Sequence, residues 1–205
     1  MIIAVDGPTA SGKGTIAKAL AEHFGLPHLD TGLLYRAVGY QCARNNGEPS
    51  SLADALAACA FDDSLLDNPE LRTEEVGGLA SQVSVHPAVR QALFERQRAF
   101  ATQEGGAVLD GRDIGTVIAP EADAKLFITA SVEARAQRRF LEMRGRGVKV
   151  TLLEIQDDLR RRDERDRNRE VAPLVPAADA MVIDTSALNK EEAIEAAIEA
   201  VKQAL

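Results

Sequence analysis

The sequence predicts an α/β fold in which a mostly parallel sheet of about five strands is covered by helices on both faces. Short, continuous apolar runs, typical of strands buried on both faces, alternate with segments whose apolar residues recur at helical spacing. A glycine-rich loop joins the first apolar run to the first helical segment. No internal repeat interrupts this alternation, so we expect one domain spanning residues 1–205.

The strands are predicted from runs of aliphatic residues, with one short extended segment after Pro27. These strands lie at residues 2–5, 28–30, 107–109, 125–128 and 180–183. Helical spacing predicts helices at residues 13–24, 31–43, 52–60, 73–85, 87–102, 132–143, 151–168 and 189–205. Serine, aspartate, asparagine and proline interrupt residues 47–80 repeatedly, which predicts short helices and turns in that region.

The composition is that of an ordinary globular protein and excludes several classes of function. The net charge of −8 argues against a surface that holds nucleic acid. No apolar stretch approaches the roughly 20 residues that span a bilayer, and Met1 is followed directly by a strand-like run rather than a signal peptide. Cys42 and Cys59 form no C-x-x-C pair, which favours reduced thiols. We therefore expect a cytoplasmic protein with no nucleic-acid or membrane partner.

The glycine-rich loop has the spacing of a phosphate-binding loop, in the strand–loop–helix context that such a loop requires. Its backbone N–H groups and the positive end of the following helix would bind the phosphates of ATP, and Lys13 would reach the β and γ phosphates. Gly14 stands where the strict pattern has a hydroxyl, so Thr15 is the expected Mg²⁺ ligand, an arrangement similar to that of small-molecule and nucleotide kinases. A glycine turn with an incidental lysine is the alternative interpretation. The predicted ATP-binding residues are Gly7, Pro8, Thr9, Ala10, Ser11, Gly12, Lys13, Gly14 and Thr15.

Arginine is concentrated between residues 135 and 169, where eleven occur in an acidic protein. About half of them fit i,i+4 ion pairs on a solvated helix, namely Asp158 with Arg162, Arg162 with Asp166, and Asp163 with Arg167. The others can neutralise the charge of a transferring phosphoryl group. Arg138 and Arg139 precede a turn flanked by glycines, so residues 138–150 are predicted to form an arginine-rich lid. We expect Lys13, Arg138 and Arg139 to act in catalysis.

Three further clusters carry a resemblance to a known family. They are residues 30–36, 110–117 and 162–169, written DTGLLYR, DGRDIGTV and RDERDRNR. Together with the phosphate loop, and with similar segments at residues 80–83 and 96–100, they closely resemble the bacterial cytidylate kinase family, ATP:(d)CMP phosphotransferases. The second and third clusters are much more specific than the loop, and the resemblance covers nearly the whole chain.

The resemblance implies that the chain transfers a phosphoryl group from ATP to CMP or dCMP, with Mg²⁺, as a monomer. It implies a core at about 1–30 and 104–205 and a nucleoside-monophosphate-binding region at about 31–103. Arg112 is also expected to act in catalysis. The residues that match CMP-contact positions are Thr31, Arg36 and Arg112 for the phosphate, Ser81, Arg90, Asp113 and Arg169 for cytosine, and Arg162 and Asp166 for the ribose.

Several side chains keep two interpretations. Asp110 follows a buried strand, where an acid would orient a water on Mg²⁺, but it could equally cap the next turn. Asp30 could be a helix cap, alone or with Thr31. Asp6 could serve only to support the loop. His28 has no obvious partner in the sequence and is interpreted as structural.

One departure from the family concerns residues 47–80, because the family usually carries a longer insert there with a small antiparallel sheet. This leaves the ranking of CMP, dCMP and UMP open. Two other functions also remain: a different small kinase, with Asp113 as base if the acceptor is a hydroxyl, and a nucleotide-binding regulator without turnover.

Overall fold

The computed structural model describes all 205 residues, which divide into two compact units. The first unit contains Met1–Leu29 and Ala101–Leu205, and the second contains Asp30–Phe100. The chain therefore leaves the first unit once, builds a separate helical unit, and returns.

A five-stranded sheet forms the centre of the first unit. Its strands, in spatial order, are β2, β3, β1, β4 and β5, and the β1–β3, β1–β4 and β4–β5 pairs are parallel. The bounds are β1 Ile2–Asp6, β2 His28–Asp30, β3 Ala107–Gly111, β4 Ala124–Thr129 and β5 Met181–Asp184. The predicted α/β class and the five predicted strands are confirmed.

Eight α-helices accompany the sheet. They are α1 Lys13–Phe24, α2 Thr31–Arg44, α3 Leu52–Ala57, α4 Glu74–Val83, α5 Pro87–Ala101, α6 Val132–Gly145, α7 Leu152–Arg167 and α8 Lys190–Ala204. All eight predicted helices are present, with ends within a few residues of their expected positions. A π-helical turn at Ile114–Ile118 was not predicted.

The main core of the first unit lies where α1 and α8 cover the sheet. Ile3 and Val5 of β1, with Leu126 and Ile128 of β4, are almost fully buried. The apolar stripes of α1, centred on Leu20, and of α8 pack against them. Burial on both faces explains why these strands read as continuous apolar runs.

The hairpin of α6 and α7 has a small core of its own, made by Ala136, Ile155 and Leu159. Ser131 caps α6, and Thr151 forms a capping box with Glu154 at the start of α7. These caps satisfy backbone N–H groups that the first turn of a helix leaves without partners, which fixes where each helix begins.

The second unit is helical. Residues 47–80 form α3, two 3₁₀ turns at Asp63–Asp67 and Pro69–Arg72, and α4, so the prediction of helices and turns without strands is confirmed. α2 packs closely on α4 at Gly39, where an added Cβ would lie 2.8 Å from the Cβ of Leu79. No helix in the structure is long and apolar enough to cross a membrane.

Candidate active site

The carboxyl ends of β1 and β3 bring the phosphate loop beside the second sequence cluster. Val5 pairs with Asp110 and Asp6 with Gly111 in the parallel register. Because both strands end at the same edge of the sheet, the loops that follow them are neighbours there, where ligands bind in open α/β sheets.

The phosphate loop depends on two glycines. Gly7 has a φ of +155°, and a Cβ there would lie 2.1 Å from the carbonyl oxygen of Ile128, so only glycine fits. Gly12 precedes α1 with a φ of +92°, a conformation that glycine adopts without cost. No side chain caps α1, and its first turn contains no acid. The amino end of α1 is thus suited to bind an anion.

A cavity of about 430 Å³ adjoins this loop. Ser11, Gly12 and Thr15 of the loop line it, together with Arg138 of α6 and residues around the start of α8. The hydroxyl of Ser11 is buried and has no hydrogen-bond partner. A buried hydroxyl without a partner is costly, so this atom is a candidate ligand contact.

Arg138 lies at this cavity, bound to the segment after β5. Its Nη1 donates to Oγ1 of Thr185 at 3.1 Å, and its Nη2 donates to the carbonyl oxygen of the same residue. The Thr185 hydroxyl is itself 3.1 Å from the Ser11 carbonyl oxygen. Arg139, the neighbouring predicted catalytic residue, has a half-buried side chain on α6.

Two arginines and two aspartates form a chain of hydrogen bonds through Thr9. Arg112 donates from Nη2 to Oγ1 of Thr9 at 2.7 Å and from Nε to Oδ2 of Asp166 at 2.8 Å. Arg135 donates from Nη1 to the Thr9 carbonyl oxygen at 3.1 Å and binds both carboxylate oxygens of Asp163. Both aspartates belong to α7, so the chain of bonds starts and ends on one helix and passes through the phosphate loop.

Asp166, Arg162 and Arg169, all predicted to contact CMP, are buried at the end of α7. Burial alone would raise the pKa of Asp166, but the charges of Arg112 and Arg169 and the bond from Arg112 hold that pKa below its usual range. The Nε of Arg162 lies 2.8 Å from Oδ2 of Asp158, as the i,i+4 spacing predicts. Asp163 was predicted to pair with Arg167, but its carboxylate is bound by Arg135 of α6.

Asp6 holds the turn that follows Asp113. Its two carboxylate oxygens accept the backbone N–H groups of Ile114 and Gly115, each at 2.8 Å. Desolvation by burial raises the pKa of Asp6 to about 7, with a further rise from the charge of Asp113, although both hydrogen bonds and Arg112 oppose it. Asp6 therefore acts as a cap for the π-helical turn and fixes the end of the segment that carries Arg112 and Asp113.

Asp110 is buried beside the phosphate loop. Its Oδ1 lies 2.7 Å from Nε2 of His28, and its Oδ2 would lie 3.7 Å from a Cβ placed on Gly14. His28, which has no obvious partner in the sequence, thus contacts Asp110, the carboxylate that is predicted to orient a water on the metal. Thr15, the other predicted metal ligand, is exposed at the first turn of α1.

In the second unit, α2 carries Thr31 and Arg36. Thr31 is buried at the first position of the helix, and Asp30 stands at the cap position without a side-chain cap bond. Nη1 of Arg36 donates to the carbonyl oxygens of Leu71 and Thr73 at 2.7 and 2.9 Å. These two bonds join Arg36 to the main chain of the segment that precedes α4.

Ser81 and Arg90 lie on α4 and α5 of the same unit. The Ser81 hydroxyl is buried and has no hydrogen-bond partner. The guanidinium of Arg90 stacks over the ring of Tyr35, 5.5 Å from its centroid, and donates to the carbonyl oxygen of Ser84 at 3.4 Å. Tyr35 thus serves packing and supports Arg90.

Three residues at these sites were given no functional role from the sequence: Arg135, Asp6 and His28. Arg135 was one arginine among eleven, and only its 2% exposure and its bonds to the loop distinguish it. Asp6 was interpreted as at most a support for the loop. A signal existed for Asp6, because it lies at the carboxyl end of a predicted strand, where functional side chains collect. His28 begins its predicted strand, so its position gave no such signal.

The chain is similar to proteins of one family along nearly its whole length. A family model described as cytidylate kinase matches residues 3–203. A protein named cytidylate kinase from Caulobacter sp. (strain K31) is 54% identical over 197 residues, which are 96% of this chain and 91% of that protein. Another of that name from Methylocella silvestris is 54% identical over 206 residues, 100% of this chain and 95% of that protein.

A solved structure of an uncharacterized protein from Eubacterium ventriosum has a TM-score of 0.56 at 16% identity and covers 98% of each chain, which supports the fold alone. The family assignment comes from the sequence matches, and it agrees with a parallel α/β core that carries a phosphate loop after its first strand. The chain belongs to the cytidylate kinase family.

Proposed function

We propose that the chain phosphorylates CMP and dCMP to CDP and dCDP with ATP as co-substrate, by direct in-line transfer. One observation carries this proposal beyond family membership. Arg112, which matches a position that holds the acceptor phosphate, is bound to Thr9 within the loop that matches the donor-phosphate site. Donor and acceptor groups are thus adjacent in the first unit, as direct transfer requires.

The donor is held by the phosphate loop. The backbone N–H groups of residues 7–15 and the uncapped start of α1 bind the phosphates, while Lys13 bridges the β and γ groups. The cavity beside Ser11 and Thr185 accepts the rest of ATP. Arg138, which lines that cavity, and Arg139 neutralise charge as the lid segment closes.

The acceptor phosphate needs no general base. Its second pKa near 6 makes it largely a dianion at neutral pH, so it is already nucleophilic. Two anionic substrates repel each other, and Arg36 and Arg112 offset that repulsion, with Thr31 donating a hydroxyl hydrogen bond. Catalysis is then positioning combined with charge stabilisation.

Cytosine is recognised through its donor and acceptor pattern. Its exocyclic amino group donates, which calls for an acceptor such as Asp113 or Ser81, and its ring nitrogen and carbonyl accept from Arg90 and Arg169. Uracil exchanges the donor for an acceptor and would leave those groups unpaired. Arg162 and Asp166 are assigned to the ribose.

Mg²⁺ is the expected metal, and the residues present fit it. No group of three or more histidine, cysteine, aspartate or glutamate side chains is arranged to hold a metal, so the chain supplies few ligands. Mg²⁺ suits such a site, because it keeps several waters and binds substrate phosphates with one or two protein oxygens. Thr15 and, through water, Asp110 would supply these oxygens. The ion, when bound, neutralises charge on the transferred phosphoryl group.

An acceptor panel tests the proposal. The purified protein, with ATP and Mg²⁺, is assayed for ADP production with CMP, dCMP, UMP, AMP and dTMP. We expect CMP and dCMP to be preferred by at least about 10-fold in kcat/KM, because the base is recognised by hydrogen bonds. Equal rates with AMP or dTMP would indicate a different small kinase, and CMP binding without turnover would indicate a regulator. In this function the protein acts in pyrimidine nucleotide metabolism in the cytoplasm, and it does so as a monomer.

A further inference from the structure

The guanidinium plane of Arg112 is set by three hydrogen bonds. Nε donates to Oδ2 of Asp166 at 2.8 Å, Nη1 to the carbonyl oxygen of Gly111 at 3.2 Å, and Nη2 to Oγ1 of Thr9 at 2.7 Å. The bond to Asp166 lies at Nε, on the axis about which the guanidinium end swings. The Thr9 bond lies at Nη2, on the same edge of the guanidinium as Nε, so Asp166 and Thr9 together hold that edge.

Thr9 is well placed to fix that orientation because its own position is fixed. Its carbonyl oxygen accepts from Nη1 of Arg135, which is 2% exposed and bound in a bidentate manner to Asp163. A planar arginine fork held by a carboxylate is among the most geometrically specific contacts in proteins. Arg135 therefore holds the backbone of Thr9, while the side-chain hydroxyl of Thr9 accepts from Arg112.

We propose that Thr9 is a positioning residue of the acceptor site, whose hydroxyl orients Arg112 toward the phosphate of CMP. The inference rests on the proposed function, in which Arg112 binds that phosphate. It gives Thr9 two tasks: its backbone belongs to the loop that binds ATP, and its side chain serves the other substrate. The Arg112 side chain is 23% exposed and has room to turn away if this bond is lost.

The test replaces the hydroxyl without changing the shape of the side chain. Valine is β-branched like threonine, so Thr9→Val removes only the hydrogen bond. Because a misplacement of about 1 Å can cost on the order of 100-fold, we expect kcat/KM for CMP to fall by about 10- to 100-fold. The KM for ATP should change by less than about 3-fold, since the loop backbone is retained. Thr9→Ser restores a hydroxyl and should recover most of the loss.

A double-mutant cycle separates positioning from a general effect on folding. If Thr9 acts through Arg112, adding Thr9→Val to Arg112→Ala should change kcat/KM for CMP by less than about 2-fold. Thermal unfolding of each variant identifies any loss of fold. If Thr9→Val does not fold, Thr9→Ala, which also removes the hydroxyl, replaces it in the cycle.

The outcomes distinguish this inference from the proposed function. Wild-type protein that does not phosphorylate CMP overturns both. Wild-type protein that is active on CMP, with Thr9→Val equally active or with losses that multiply in the cycle, overturns the inference alone. A loss confined to CMP, rescued by serine and absent when Arg112 is already removed, supports it.

Discussion

The two units hold their predicted substrate residues in different ways. In the first unit, Arg112 and Arg135 bind the carboxylates of Asp166 and Asp163, and their side chains are fixed by charged partners. In the second unit, Arg36 donates to main-chain carbonyl groups. An arginine–carboxylate bond joins two ionised groups, whereas an arginine–carbonyl bond has only one.

This difference indicates which groups are ready before substrate binds. The arginines of the first unit have a fixed geometry that a substrate can use without reordering them. The two bonds that Arg36 makes to carbonyl groups can be exchanged for bonds to a phosphate, because an anion is the stronger acceptor. Four changes test this comparison.

The largest effect is expected in the first unit, at Lys13. Lys13→Ala removes the cation that we propose bridges the β and γ phosphates in the transition state, so turnover should fall by about 10³-fold or more. CMP affinity, measured by titration calorimetry, should stay within about 3-fold of the wild type, because Lys13 serves the donor. Retained turnover would show that Lys13 is not part of the charge clamp.

The buried ion pair of the first unit should dominate stability. Asp163→Ala leaves the charge of Arg135 buried without its carboxylate, which should lower the free energy of unfolding by about 3–5 kcal/mol. Glu142→Ala is the control, because it removes a pair with Arg146 in which both side chains are more than half exposed, and it should cost less than about 1 kcal/mol. Urea unfolding measures both. Equal costs would mean that the chain of bonds through Thr9 does not stabilise this unit.

Asp6 should make the stability of the first unit depend on pH. Its pKa in the folded protein, about 7 against an ordinary 3.8, means that the folded state binds more protons between those values. Its contribution to stability is therefore largest near pH 4 and declines as pH rises to 7. Between pH 5 and 8 the loss should be about 2–3 kcal/mol.

Asp6→Asn removes this titration. The gap, defined as the free energy of unfolding of the wild type minus that of the variant, should therefore fall by that amount from pH 5 to pH 8. Denaturant unfolding at several pH values measures the gap. A gap that is constant with pH would mean that Asp6 does not change its protonation state in this range.

The smallest effect is expected in the second unit, at Ser81. Its buried hydroxyl has no partner, so Ser81→Ala should leave the melting temperature unchanged or slightly higher. If the hydroxyl contacts cytosine, kcat/KM for CMP should fall by about 5- to 20-fold, a typical cost for a lost hydrogen bond. Thr116→Val is the matched control, because Thr116 also has a buried hydroxyl without a partner but has no assigned role. Equal kinetic losses in the two variants would argue against cytosine contact by Ser81.

The strands and helices could be predicted because their signals are local. β1 and β4 are continuous apolar runs, and the stripe of α8 repeats at helical spacing, so burial on one or both faces is visible in the residues themselves. The phosphate loop is equally local, since Gly7 and Gly12 are required by backbone geometry at their own positions. The π-helical turn at Ile114–Ile118 was missed because it depends on Asp6, more than a hundred residues away.

The ion pairs show where local reasoning ends. The i,i+4 rule placed Asp158 with Arg162 correctly, because the two residues lie one turn apart on the same side of a helix. It failed for Asp163, whose carboxylate faces α6 and is bound by Arg135. A helix offers several partners at similar spacing, and only packing decides which face is turned inward.

The sequence by itself determined the α/β class, the glycine-rich loop at residues 7–15 and the family, because periodicity and short motifs are properties of neighbouring residues. Tertiary structure alone decided that Thr9 reaches Arg112, that His28 meets Asp110, and that Asp6 caps the turn after Asp113. These contacts join residues 82 to 108 positions apart. They arise because β3 lies between β2 and β1, an order that follows from how the sheet packs as a whole.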